Sequence, residues 1–217
     1  MNPKSNLFQI KDKKEGGLHI YGAPLPSNDD ISAVVRKLEV MVDNERFLHS
    51  LGTYHTMLLL ARRYGEDLRI AGLTGLLHDC ARSAPEEGEL SILDVGETLL
   101  SAEDMAFPKI WHARIGAVLL KIVFGIENEE MAEAIRIHPT GAPAMSQLAR
   151  LLYIADYIEP TRSFEDSPLG ALRVLAFLDM EVAFRTILKH KLGELQKREK
   201  SLHPDTLRAH AFYIRED

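Results

Sequence analysis

Apolar residues recur along most of this chain at intervals of three and four, and from Asp29 onward the pattern predicts a succession of helices. The first covers residues 31–42, behind the capping candidates Ser27, Asn28 and Asp29. The second, residues 45–64, sets Phe47, Leu51, Tyr54, Leu58 and Ala61 on one stripe and meets Gly65 where a C-terminal stop belongs. Asp67 can cap a third helix that carries His78 and Asp79 to its far end, after which Ser83, Ala84 and Pro85 restart the chain. A weak helical pattern and then a loop fill residues 86–108, and a fifth helix runs over residues 109–124 with Gly125 after it. The sixth, residues 128–137, is broken by Pro139, and Ser146 can cap a seventh that ends at Glu159-Pro160. Further helical patterns follow Pro168, among them residues 179–197 and a short last one after Pro204. No stretch alternates with period two, so the fold expected is all-α, a single helical bundle.

Residues 1–27 break the pattern, mixing Lys11, Lys13, Lys14, Gly16, Gly17, Pro24 and Pro26 with little periodicity. Residues 1–28 are therefore expected to be an N-terminal arm, and residues 29–217 one domain. The single cysteine, Cys80, excludes an internal disulfide framework. The apolar stretch at residues 115–126 is interrupted by Lys121 and is too short to span a bilayer. With no leader pattern either, the expectation is a cytoplasmic protein without membrane contact. The formal net charge of −6 offers no basic footprint for general nucleic-acid binding, so an anionic substrate would need local cationic help.

The polar positions that break the apolar runs carry the chemistry. His78 and Asp79 sit inside Leu73-Thr74-Gly75-Leu76-Leu77-His78-Asp79-Cys80-Ala81, and Asp156 sits inside Leu151-Leu152-Tyr153-Ile154-Ala155-Asp156-Tyr157-Ile158. A buried carboxylate costs several kcal/mol or titrates neutral unless something positive compensates it, and a metal ion is the economical explanation. Collecting the His and Asp residues at helix ends or in apolar settings gives His49, His78, Asp79, His112, His138 and Asp156. Six ligands suit two ions. One can take His49, His78, Asp79 and Asp156, while a second shares Asp79 and adds His112 and His138, leaving open positions for water and phosphate oxygens. Nitrogen and oxygen donors without thiolate fit iron, manganese, cobalt or zinc.

In order and approximate spacing, five segments resemble the HD-domain phosphohydrolases of the YqeK type. They are His49-Ser50-Leu51-Gly52, Gly75-Leu76-Leu77-His78-Asp79-Cys80-Ala81, His112 with Ile115-Gly116-Ala117, Ala134-Ile135-Arg136-Ile137-His138-Pro139-Thr140-Gly141, and Ala155-Asp156-Tyr157-Ile158-Glu159-Pro160-Thr161-Arg162. The resemblance covers roughly residues 29–215. It implies an HD-domain helical bundle with a dimetal site in its centre, iron the expected metal, and a homodimer. The implied activity is symmetrical cleavage of diadenosine tetraphosphate into two ADP, that of a symmetrical bis(5'-nucleosyl)-tetraphosphatase. Two departures stand out: Arg82 where the family usually has Lys, and Pro139 where it usually has Thr. Arg82 presents a planar fork in place of a point donor, and Pro139 removes one backbone N–H.

The ligand set suggests attack by a metal-bound hydroxide at a phosphorus next to the central bridging oxygen. Arg46, three residues before His49, and Arg82, one turn after Asp79, can each share a face with a ligand, so Asp79, Arg46 and Arg82 are the catalytic candidates. Arg46, Arg82, Arg136 and Arg162 are candidates for substrate phosphates, and Thr140 and Gly141 offer a hydroxyl and a backbone N–H where the helix breaks. His55 is rotated off the ligand face, toward a place behind the ligands or in a substrate groove; His19, His190, His203 and His210 read as ordinary polar residues, Cys80 as core packing, and Glu159 as a helix-end acid or one that braces a ligand from behind. The competing functions are a mononucleotide phosphohydrolase and a nucleotide-sensing or ribosome-associated binding protein that keeps the metal site without turnover.

Overall fold

The computed structural model describes residues 19–20, 23–24, 28–82, 100–163, 168–197 and 201–214, with side chains from residue 31 onward. Its helices are α1 (Asn28–Met41), α2 (Asn44–Tyr64), α3 (Leu68–Leu77), α4 (Ala102–Met105), α5 (Trp111–Ile122), α6 (Glu129–Ile137), α7 (Gln147–Ile158), α8 (Leu169–Leu178), α9 (Met180–Lys197) and α10 (Pro204–Tyr213). A single 3-10 turn, Pro108–Ile110, leads into α5. The fold is all-α apart from two-residue strands β1 (His19–Ile20) and β2 (Ala23–Pro24), which pair antiparallel within the expected arm.

Local chemistry sets most of these boundaries. The side chains of Asp67, Asn128 and Ser146 accept from backbone N–H groups of Ile70, Met131 and Ala149, satisfying donors that the first helical turn leaves open. Gly65 closes α2 with φ 81°, a left-handed conformation that costs a glycine little. Two starts differ from the sequence reading. Asp43, not a residue of the predicted list, caps α2, and α1 begins at Asn28, so that Asn28 and Asp29 lie inside it. The helical pattern expected after residue 85 falls largely outside the described residues. Its described end contains α4, whose capping box joins Ser101 and Asp104 in a helix too short for a periodic signal.

The core is built around α7 and α3. On α7, Leu148, Leu151, Leu152, Tyr153, Ile154, Ala155 and Ile158 are all at most 2 % exposed, so this helix lies inside the bundle, with Arg150 and Asp156 as its charged positions. Residues 71–77 of α3 are likewise all buried. α3 packs face to face on α2 through glycine: a Cβ on Gly75 would lie 2.8 Å from Met57 Cγ and 3.0 Å from the Thr53 carbonyl oxygen. That close approach brings the ends of two separate helices to one point. Among the described residues no helix is long and apolar enough to cross a membrane.

Candidate metal centre

Five segments deliver the six side chains singled out above. His49 projects from the middle of α2, His78 is the C-terminal cap of α3 with Asp79 immediately after it, and His112 lies in the first turn of α5. His138 caps the C-terminus of α6, and Asp156 occupies the last turn of α7. All but Asp156 belong to the buried residues, and the Asp156 side chain is only 13 % exposed. The donor atoms fall into two groups, His49 with His78 and Asp79, and Asp79 with His112 and His138, each group spanning no more than 4.8 Å. Asp156 joins the first group, its Oδ1 3.1 Å from His49 Nε2 and 3.8 Å from His78 Nε2.

The imidazoles are oriented from behind. Nδ1–H of His78 donates to the Gly75 carbonyl and Nδ1–H of His138 to the Ile135 carbonyl, both at 2.8 Å. A carbonyl can only accept, so each ring carries its proton outward and presents the Nε2 lone pair to the centre. His49 Nδ1–H donates to Glu159 Oε1 at 3.0 Å, and Glu159 also accepts from the backbone and hydroxyl of Thr161. Gly52 makes room for this carboxylate: a Cβ there would stand 2.2 Å from Glu159 Oε2. Carbonyl and carboxylate partners of this kind are what hold metal-binding histidines in one tautomer.

The electrostatics fit a cation. Burial drives His78 down to about 3, so its ring is neutral, and burial also lowers His112 despite the attraction of Asp79. Asp79 and Asp156 are held well below the ordinary carboxylate range: burial opposes ionisation, but the imidazoles and Arg162 outweigh it. His49 is raised, since hydrogen bonds with Asp156 and Glu159 outweigh burial. Its Nε2 lies 3.1 Å from His78 Nε2 and Asp156 Oδ1, 3.8 Å from Asp79 Oδ2 and 3.2 Å from the Arg162 guanidinium, and a single proton cannot serve the three acceptors. Asp79 Oδ1 is buried without a hydrogen-bond partner, although His112 Nε2 and His138 Nε2 lie 3.1 and 3.4 Å away. Converging lone pairs and an orphaned carboxylate oxygen are what a divalent metal satisfies and protons do not.

Three guanidinium groups ring the cluster. Arg46 Nη1 donates to Asp79 Oδ2 at 2.8 Å, and Arg162 Nη2 lies 2.7 Å from Asp156 Oδ1. Arg82 Nη1 stands 3.2 Å from His112 Nε2 and 3.7 Å from Asp79 Oδ1. Arg82 and Arg162 also line a cavity of about 540 Å³, together with His138, Asp156, Phe107, Ile110 and Leu195. Arg82, Trp111 and His112 border a second of about 300 Å³.

The remaining sequence candidates behave differently. Arg136 is not brought to the cavity, because Glu133, one turn earlier, takes its guanidinium at 2.6 and 2.7 Å. Thr140 lines the cavity, but its hydroxyl donates to the Gly141 carbonyl at 2.9 Å, and the Gly141 N–H donates to the Ile137 carbonyl at 2.7 Å. Closing the turn, with Gly141 at φ 70°, thus engages the two donors that had been offered to a phosphate. Cys80 is buried and its thiol is pushed up to about 12 by burial and by Asp79, which suits packing and not reactivity. His55 is exposed. His203, read as an ordinary polar residue, is buried against Phe107 and lines the cavity, as does Lys191, which the sequence reading passed over.

Comparison with known proteins places this geometry. The HD domain family matches residues 46–161, a span that contains all six clustered side chains. The chain is 34% identical over 161 residues to the protein named "Bis(5'-nucleosyl)-tetraphosphatase, symmetrical" of Bacillus subtilis, covering 74% of this chain and 85% of that protein. A protein of the same name from Halalkalibacterium halodurans is 34% identical over 164 residues, 75% of this chain and 85% of its own length. Among solved structures, a predicted HD superfamily hydrolase involved in NAD metabolism from Clostridium acetobutylicum superposes with a TM-score of 0.77 at 33% identity, covering 88% of this chain and 98% of that one. On the extent of these matches, and with the paired His and Asp of the motif buried at its centre, the chain belongs to the HD domain family.

Proposed function

We propose that this chain is a metal-dependent phosphohydrolase that cleaves diadenosine tetraphosphate symmetrically into two ADP. The observation that carries the reading is the pair of donor groups sharing Asp79, beside a cavity lined by Arg82 and Arg162 together with apolar side chains. The relatives named as symmetrical tetraphosphatases support the choice of substrate.

In this reading His49, His78, Asp79 and Asp156 hold one ion and Asp79, His112 and His138 a second, iron being the expected metal and manganese, cobalt or zinc the alternatives. When bound, such ions supply Lewis acidity toward phosphate oxygens and lower the pKa of water toward neutrality. The protein does the rest. Asp79 faces both groups with its two oxygens, and Arg46 fixes one of them, so the carboxylate is held in the orientation that lets it serve both sides. Glu159 keeps His49 from rotating. Arg82 and Arg162, at the cavity wall, take the phosphate oxygens and stabilise charge on the departing ADP. Phe107, Ile110 and Leu195 give the same cavity apolar surface suited to a nucleoside.

The test is product chromatography on a panel of dinucleoside polyphosphates and mononucleotides with the iron-, manganese- or cobalt-loaded protein. Two ADP from each diadenosine tetraphosphate is the expected result. ATP with AMP as products, turnover confined to mononucleotides, or binding without turnover would overturn the reading.

A further inference from the structure

Helix α9 buries Ala183, Phe184, Ile187, Leu188 and Leu192 against the core. Position 191 falls in the same stripe, three residues after Leu188 and four after Ile187, where the helical period calls for an apolar side chain. The chain places a lysine there. Its ammonium lies 4.1 Å from the centre of the Tyr153 ring, a buried residue of α7, and the side chain is half-buried on the wall of the larger cavity. Burial pulls Lys191 below the ordinary lysine range, with Asp156 opposing. Among the described residues it has no carboxylate partner; Asp156 and Asp79 act on it only through space.

Lys109 and two arginines line this cavity as well, and the arginines are engaged: Arg162 with Asp156, and Arg82 with His112 and Asp79. Lys191 is held instead by a ring face, which attracts a cation without satisfying its N–H donors. A charge placed at such cost in an apolar stripe, with donors turned to a cavity, is a site for an anion. Lys191 also lies beyond residue 161, where the HD domain match ends.

Resting on the hydrolase reading above, we propose that Lys191 is a substrate-binding residue that grips a phosphate of the nucleoside diphosphate half lying along α9, and so selects for a polyphosphate chain. The test uses the metal-loaded full chain with Lys191→Met, which keeps the stem over Tyr153 and removes the charge, and Lys191→Arg, which keeps the charge. Calorimetric affinity for ADP, KM and kcat for diadenosine tetraphosphate, metal content and thermal midpoint are measured for each. Loss of a charge-assisted hydrogen bond is expected to weaken ADP binding and raise KM by about 10- to 100-fold in Lys191→Met, with kcat, metal content and midpoint close to wild type. Lys191→Arg is expected to recover most of the ADP affinity.

Unchanged ADP affinity and KM in Lys191→Met would overturn the proposal, and so would a fall in kcat at constant KM or an equal loss in Lys191→Arg. Should Lys191→Met not fold, Lys191→Gln carries the same expectation. Wild-type protein that cleaves the dinucleotide while the variant is indifferent overturns only the role of Lys191. Wild-type protein that binds ADP through Lys191 but never cleaves the dinucleotide upholds the phosphate contact and overturns the hydrolase reading.

Discussion

Two polar clusters are buried in this molecule, one around Asp79 and one around Asp104, and they are built on opposite principles. Asp104 accepts from the backbone and hydroxyl of Ser101 at 3.2 and 2.8 Å and from Arg114 Nε at 3.0 Å. Arg114 reaches onward to Asp205 at 3.0 Å and to the Arg136 carbonyl, while Arg208 joins Asp205 to Glu103. There each carboxylate meets a guanidinium, and the network ties α4, α5, α6 and α10 together, with His203 Nε2 3.2 Å from Asp104 Oδ1 and without a hydrogen bond of its own. Around Asp79 acceptors face acceptors: two imidazole Nε2 atoms stand 3.1 Å apart, and a carboxylate oxygen is left without a partner. A network of paired carboxylates and guanidinium groups is a structural clamp, and a cluster in which acceptor lone pairs converge is a place for a cation.

That contrast can be broken by substitution on each side. The largest effect is expected from Asp79→Ala: both donor groups lose their shared oxygens, so activity falls to background and metal content falls at both positions, read by product chromatography and elemental analysis. Arg114→Met should do the reverse, costing about 3–5 kcal/mol of stability in chemical denaturation by stranding two carboxylates, while the folded fraction keeps its metal. Glu159→Gln loosens His49 without removing a ligand and is expected to reduce metal affinity or activity by about 10- to 100-fold, measured by metal titration. The smallest effect belongs to Cys80→Ala, expected to retain most activity. The wild-type thiol, pushed up to about 12, should resist alkylation at neutral pH in the folded protein.

What could be read from the sequence was local, and what could not was contact between distant segments. Asp67, Asn128 and Ser146 act within three residues of themselves, so helix starts were legible; Gly65 was legible for the same reason. Asp79 and Asp156 announced themselves as acids in apolar runs, and that rule needs no coordinates. Arg136 was within reach of the same kind of reasoning, since Glu133 lies one turn before it on the same helix. The partner of His49 was not: Glu159 is 110 residues away and approaches only because Gly52 has no side chain. Lys191 is legible too, as a charge in an apolar stripe, although the cavity it lines is formed by segments far apart in the chain. For Thr140 and Gly141 the residue types fit a phosphate-binding turn, but hydrogen bonding within the turn itself competed successfully.

Elemental analysis of the native protein purified without added metal or chelator bears most directly on the cluster around Asp79. Two transition-metal ions per folded chain, retained in Arg114→Met and lost in Asp79→Ala, are expected. Folded protein that carries no ion and still splits diadenosine tetraphosphate in the presence of excess chelator would contradict the assignment of these side chains as ligands.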